Sequence, residues 1–140
     1  MVLSTGNGKK ISMIEAEATH WFSATHRHLV PDIDGKGVVM SKTHTHHWVL
    51  TVRVEGEVHP VYGWVMDFRE LRRLLADIAP HRRWWSRWLR RVPDYEKTAE
   101  GILALLVDEV NRRLGPDGPS VAWARLEEMV GQAAVCEFQG

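Results

Sequence analysis

The chain has 140 residues, 44% of them hydrophobic and 26% charged, a composition typical of one globular domain. Its 18 Lys and Arg residues balance 18 Asp and Glu residues, so no net charge favours nucleic acid or an acidic membrane as partner. No apolar run approaches the roughly 20 residues of a membrane-spanning helix. The single Cys136 excludes an internal disulfide framework and, with a polar N-terminus, predicts a cytoplasmic protein.

The first half of the chain is predicted to be mainly strand. Residues 1–10 are polar and are expected to form a flexible tail, followed by a single domain over 11–140. Rough alternation of apolar and polar residues predicts a strand over 11–25. Clearer alternation predicts a second strand over 46–54, and residues 58–65 follow as a candidate returning strand.

Two helices and then two short strands are predicted in the second half of the chain, over residues 67–79, 98–114, 120–128 and 133–138. Asp67 and Thr98 are suitable N-caps for the two helices. Glu70, three residues after Asp67, completes a capping box. The order of elements predicts an α+β domain with two helices on one face of an antiparallel sheet.

Three histidines are the strongest sign of function. His44 and His46 are two residues apart on a predicted strand, so their side chains share one face. If the segment that carries His26 pairs beside that strand, it adds a third imidazole. Three imidazoles leave one open position on a tetrahedral zinc ion, which is typical of a catalytic site. The alternative is chance, because the chain has 8 His and histidines are common on exposed strands.

Six elements occur in an order that resembles the 6-pyruvoyltetrahydropterin synthase and 6-carboxytetrahydropterin synthase family. They are Phe22-Ser23-Ala24-Thr25-His26, His44-Thr45-His46-His47-Trp48, Gly63 to Leu71 with its Asp67-Phe68 pair, His81, Lys97-Thr98-Ala99-Glu100, and the Glu127-Glu128 pair. The resemblance covers residues 21–128.

The resemblance implies a tunnelling fold, a ββααββ unit that assembles into homotrimers or hexamers with active sites between subunits. It implies that His26, His44 and His46 bind Zn²⁺, which holds the side-chain oxygens of dihydroneopterin triphosphate or a similar small molecule. A carboxylate that matches Glu128 anchors the pterin ring, with Glu127 as the alternative in register.

The resemblance also implies an acid-base role for His81, but the catalytic residues depart from the family pattern. Met40 stands where the family carries a cysteine base, and a thioether has no proton to exchange. Pro80 stands where an aspartate would orient His81, so Asp77 is the substitute one helical turn earlier. These changes predict an altered reaction or substrate.

Four residues are predicted to line the substrate pocket: Thr98, Glu100, Trp84 and Trp85. Capping alone would explain Thr98 and Glu100. For the segment 82–91, rich in Trp and Arg, three interpretations stay open: a structural or intersubunit face, a pocket wall for phosphate or carboxylate groups, and a membrane or nucleic-acid segment.

Three functions are consistent with the sequence. The first is a zinc-dependent lyase or synthase of the pterin type. The second keeps the fold and the metal but acts as a cyclase or lyase on a substrate other than a pterin. The third is a non-catalytic zinc-binding oligomer, which a fourth protein ligand would favour, and His20 and His28 are the candidates for that ligand.

Overall fold

The computed structural model describes residues 3–11, 13–80, 92–93 and 97–138. Its elements, in chain order, are β1 (Leu3–Ser4), β2 (Lys10–Ile11), β3 (Glu15–His26), β4 (Leu29–Pro31), β5 (Val38–Met40), β6 (His44–Glu55), α1 (Phe68–Ile78), α2 (Ala99–Leu114), β7 (Ser120–Met129) and β8 (Gln132–Glu137). The four long strands and two helices follow the predicted ββααββ order, which confirms the α+β class. Among the described helices, none has the length and apolar content needed to cross a membrane.

The four long strands form one antiparallel sheet in the order β3-β6-β7-β8. Strands β3 and β6 pair along their full length, so that His26 lies opposite His44 and Ala24 lies opposite His46. A slip of one residue would turn every side chain of a strand to the other face, so this register fixes which histidines meet.

The core lies between the sheet and the two helices. Its largest fully buried side chains are Phe22, Trp48, Leu50, Val52, Val54, Leu71, Leu75, Ile78, Ile102, Leu106 and Leu126. Along β6, Trp48 and every second residue to Val54 are buried. The same alternation, continued toward the start of the strand, carries His46 and His44 on the core face, at one end of the core.

Side chains cap both helices as predicted. Oδ1 of Asp67 accepts a hydrogen bond from the backbone N–H of Arg69, 2.9 Å, and Oγ1 of Thr98 accepts one from Gly101, 3.1 Å. Each cap satisfies an amide that the first helical turn leaves without a partner. The helix bounds agree with the prediction to within one residue at each end.

The predicted strand over 58–65 is wrong. That segment forms a turn, in which the amide of Gly63 donates to the carbonyl of His59, 2.8 Å, and Gly63 has a φ of 75°. Pro60 lacks the amide that a sheet ladder requires, and glycine readily adopts positive φ.

At the N-terminus β1 and β2 form a short hairpin, so part of the expected tail is paired. The predicted boundary at residue 10 falls inside β2.

Candidate metal centre

The three predicted metal ligands converge at the end of the core. The ring centroids of His26 and His44 lie 4.4 Å apart, those of His44 and His46 4.6 Å, and those of His26 and His46 5.2 Å. This cluster follows from the register, because His26 ends β3 directly opposite the residue that begins β6. Two strands thus carry three imidazoles on one face.

Glu128 reaches the same cluster from β7. Its Oε1 lies 3.0 Å from Nε2 of His26 and 3.3 Å from Nε2 of His46. Glu127 points to the opposite face, where its Oε2 pairs with Nη2 of Arg125 at 2.8 Å. Of the two glutamates that the sequence left open, the one that faces the histidines is therefore Glu128.

His28 also belongs to this cluster. One donor atom from each of four residues lies within 4.8 Å of the other three: His26, His28, His44 and Glu128. His46, which the sequence placed among the three ligands, lies beside this group: its Nε2 is 3.3 Å from Oε1 of Glu128, and its ring centroid is 4.6 Å from that of His44. The sequence offered His28 as one of two candidates for a fourth ligand, and His26 and His28 repeat the spacing of His44 and His46. His28 lies just beyond the end of β3, however, where strand alternation no longer predicts a direction.

Backbone carbonyls hold three of the imidazoles in one tautomer. Nδ1 donates a hydrogen bond in each case: from His26 to the carbonyl of Lys97 at 2.7 Å, from His28 to Leu29 at 3.1 Å, and from His44 to Lys42 at 2.7 Å. A carbonyl oxygen only accepts, so the proton sits on Nδ1 and the lone pair on Nε2. Histidines that bind metal usually have this arrangement, which fixes the ring and directs Nε2 at the ion.

The contact between His26 and Glu128 indicates that the cluster can hold a cation. Nε2 of His26 is buried and has no hydrogen-bond donor among the described residues, although a carboxylate oxygen lies 3.0 Å away. Burial lowers the pKa of His26 to about 4, despite the hydrogen bond to Lys97. The imidazole is then neutral near pH 7, and two lone pairs face each other. A divalent cation with nitrogen and oxygen ligands, such as Zn²⁺, satisfies both atoms.

An apolar base lies under the cluster. The Trp48 ring is fully buried, and its Nε1 donates to the carbonyl of Ala24 at 3.1 Å. Its centroid lies 4.9 Å from the ring of His26 and 5.5 Å from that of His46, both edge to face. Trp48 therefore keeps water away from one side of the cluster and limits rotation of both imidazoles.

The start of α2 lies beside the cluster. Lys97, whose carbonyl binds His26, is the residue before the helix cap Thr98. Thr98 is half-buried and bonded to Gly101, while Glu100 is exposed in the first turn. The cap therefore helps to hold the carbonyl that orients His26.

The remaining predicted site residues are Asp77, His81, Trp84, Trp85 and His20. Asp77 is mostly exposed and forms an ion pair with Arg113 of α2. His81, Trp84 and Trp85 lie outside the described residues, as does the whole segment 82–91. His20, a candidate fourth ligand, instead makes a 2.7 Å hydrogen bond from Nε2 to the carbonyl of Ala79.

Met40 and Cys136 lie in different parts of the structure. Met40 ends β5 and lies opposite Leu29, the neighbour of His28, so it is close to the cluster in the hairpin formed by β4 and β5. Cys136 lies opposite Ala124 in the sheet and packs against the core, and burial raises the pKa of its thiol. Both features are typical of a structural thiol.

Comparison with known proteins agrees with this architecture. Residues 15–139 match the family model of 6-pyruvoyl tetrahydropterin synthase. No curated protein gives a significant match.

Three solved structures share the fold at low sequence identity. The Caenorhabditis elegans 6-pyruvoyl tetrahydropterin synthase has a TM-score of 0.67 and 18% identity, over 92% of this chain and 98% of that one. An uncharacterized protein from Wolinella succinogenes has a TM-score of 0.61 and 16% identity, over 92% and 100%. A Plasmodium vivax 6-pyruvoyltetrahydropterin synthase, altered at a glutamate described as a catalytic residue, has a TM-score of 0.57 and 15% identity, over 92% and 99%. Since the family model spans nearly the whole chain, the protein belongs to the 6-pyruvoyl tetrahydropterin synthase family and has its α+β tunnelling fold.

Proposed function

We propose that this protein is a zinc-dependent lyase or synthase that acts on dihydroneopterin triphosphate or a related small molecule. The observation that carries the proposal is the buried Nε2 of His26, which faces Oε1 of Glu128 at 3.0 Å within a cluster of imidazoles. His26, His44 and His46 are the proposed zinc ligands. Zinc, when bound, supplies a Lewis acid that polarises substrate oxygens.

We propose that other residues around the zinc site bind the substrate. Glu128 anchors the substrate by accepting hydrogen bonds from a ring edge, and its position among the histidines keeps that edge close to the ion. Thr98, Glu100, Trp84 and Trp85 line the pocket in this proposal. The helix cap at Thr98, one residue from Lys97, supports a pocket at the start of α2.

The acid-base group is proposed to be His81, with Asp77 as its orienting residue. The ion pair between Asp77 and Arg113 competes with that role, so Asp77 is the weaker assignment. Met40 supplies no base. In the P. vivax protein, a glutamate is described as a catalytic residue.

Specific observations support two other functions. The replacement of the family cysteine by Met40 favours a cyclase or lyase that acts on a substrate other than a pterin. The closeness of His28 favours a non-catalytic zinc site, because four protein ligands leave no open position on the ion.

We also propose a homo-oligomer, a trimer or hexamer, with active sites between subunits. Strands β3 and β8 are the two edges of the sheet, where backbone groups are available to pair with another chain. Exposed apolar side chains near those edges, Trp21 on β3 and Val135 on β8, support the same proposal. Light scattering of the purified protein would give the subunit number.

The test of the proposed function is turnover by protein whose zinc content has been measured. We would incubate it with dihydroneopterin triphosphate and identify the products by mass spectrometry. His44→Ala should lose both zinc and turnover. His47→Ala is the matched control, because this neighbouring imidazole is exposed and bonded to Ser23 on the other face. Full zinc occupancy in His44→Ala would contradict the site. A zinc-loaded protein without turnover would favour another substrate.

A further inference from the structure

The metal centre has more donors than one tetrahedral ion can use. His26, His28, His44 and Glu128 place one donor atom each within 4.8 Å of the others, and His46 lies 3.3 Å from the Glu128 carboxylate. Zinc in proteins usually takes four ligands. Five candidate donors therefore define more than one way to complete the coordination of a single ion.

His28 is prepared for metal binding in the same way as His26 and His44. Its Nδ1 donates to the Leu29 carbonyl at 3.1 Å, which leaves the lone pair on Nε2. Its ring centroid lies 5.2 Å from that of His26, the same separation as between His26 and His46. Proximity to His26 therefore does not favour His46 over His28 as the third imidazole, although the ring of His44 is nearer to His46, at 4.6 Å, than to His28, at 5.8 Å.

The backbone around His28 differs from that of the other histidines. His28 lies in the short connection between β3 and β4 and is half-buried, whereas His26 is a buried residue of a long strand. Two bonds to Ser41 hold this connection: the His28 amide donates to Ser41 Oγ at 3.1 Å, and the Ser41 amide donates to the His28 carbonyl at 2.8 Å. Among the described residues, the ring itself hydrogen-bonds only to the adjacent Leu29 carbonyl, so it can turn away while the strands stay paired.

We propose that His28 is an exchangeable protein ligand that closes the metal centre until substrate binds. The closed set is His26, His28, His44 and Glu128. The open set is His26, His44 and His46, with one position left for substrate. This proposal rests on the proposed function, because it concerns the same ion. Exchange requires substrate to favour the open set, since a ligand shifts a population only through its different affinity for the two states.

The test uses Co²⁺ in place of Zn²⁺, because its visible absorption reports the number and type of ligands. We would load wild type, His28→Ala and His47→Ala with Co²⁺ and titrate each with azide, a small anion that occupies an open position. His28→Ala should keep Co²⁺ and bind azide about tenfold more tightly than wild type, the ratio expected if the open set is populated about one tenth of the time. His47→Ala should match wild type. His28→Gln provides a second variant of more similar size.

The other outcomes separate this inference from the proposed function. Equal azide affinity in wild type and both His28 variants would overturn the exchangeable ligand while leaving the metal site in place. Loss of Co²⁺ from both folded variants would make His28 a permanent ligand and would overturn the exchange. A wild-type protein that binds no Co²⁺, or a His44→Ala variant that binds it fully, would overturn the metal site itself.

Discussion

Nε2 of His26 and Oε1 of Glu128 lie 3.0 Å apart, although the strands that carry them, β3 and β7, are separated by β6. Neighbouring strands are about 4.8 Å apart, so these side chains meet above the intervening strand, where the Glu128 carboxylate also lies 3.3 Å from Nε2 of His46. The His26 tautomer leaves a lone pair on Nε2, and the carboxylate also presents a lone pair. The contact is therefore favourable when a cation lies between the two atoms.

Glu128→Gln should separate the stability of the metal-free protein from its affinity for zinc. The amide can donate a hydrogen bond to Nε2 of His26, which would replace two facing acceptors and stabilise the metal-free protein by about 1 kcal/mol. Loss of the carboxylate charge should weaken zinc binding by roughly 10- to 100-fold. Thermal unfolding with a chelator and competition with a chromophoric zinc ligand would measure the two effects.

Glu127→Gln is the control for that experiment. Glu127 pairs with Arg125 on the other face of the sheet, so this variant should leave zinc affinity unchanged. If Glu128→Gln bound zinc as tightly as wild type and was less stable without it, the role of Glu128 as a partner of the ion would be wrong.

Thr98→Ala should affect both stability and the metal centre. Loss of the cap bond to Gly101 should lower the free energy of unfolding by about 1 kcal/mol. Fraying of the first turn would also release the neighbouring Lys97 carbonyl, which holds Nδ1 of His26 at 2.7 Å, so zinc affinity should fall. Denaturant unfolding and zinc titration of the same samples would measure these changes.

Asp67→Ala removes the cap of the other helix and provides the comparison. It should lower stability by a similar amount and leave zinc affinity close to that of wild type, because no described contact joins Asp67 to the histidines. Equal loss of zinc affinity in both variants would mean that general destabilisation, rather than the Lys97 carbonyl, weakens the site.

Glu109→Gln should make stability less sensitive to acid. Hydrogen bonds from Arg112, opposed by burial and reinforced by Arg113, lower the pKa of Glu109 to about 2 from its usual value of 4.5. A carboxyl group with a lowered folded-state pKa stabilises the protein above its unfolded pKa, and this contribution is lost as the pH falls through the folded-state value. The variant should therefore melt a few degrees lower than wild type at pH 7.

The difference between the two melting temperatures should shrink between pH 4.5 and about 2, where the wild-type carboxyl becomes protonated. Asp108→Asn, an exposed change on the same helix, is the control and should have little effect on melting at pH 7. A gap between wild type and Glu109→Gln that stayed constant down to pH 2 would contradict a role for the ionised carboxylate.

Local pattern was sufficient to predict most of the fold and part of the site. The caps Asp67 and Thr98 depend on amides two or three residues away. The shared face of His44 and His46 depends on the period of a strand. The turn at 58–65 was missed because its apolar residues resemble a strand, although Pro60 and Gly63 prevent one.

The sequence by itself determined which side chains of each strand face the core, because strand period and helix capping act over a few residues. Only the tertiary structure decided that Glu128 rather than Glu127 meets His26, because that contact crosses three strands and depends on the pairing of β6 with β7. The inclusion of His28 was decided in the same way, since the path of a connection beyond a strand end depends on its partner Ser41. Such contacts follow from register, which side-chain period alone does not fix.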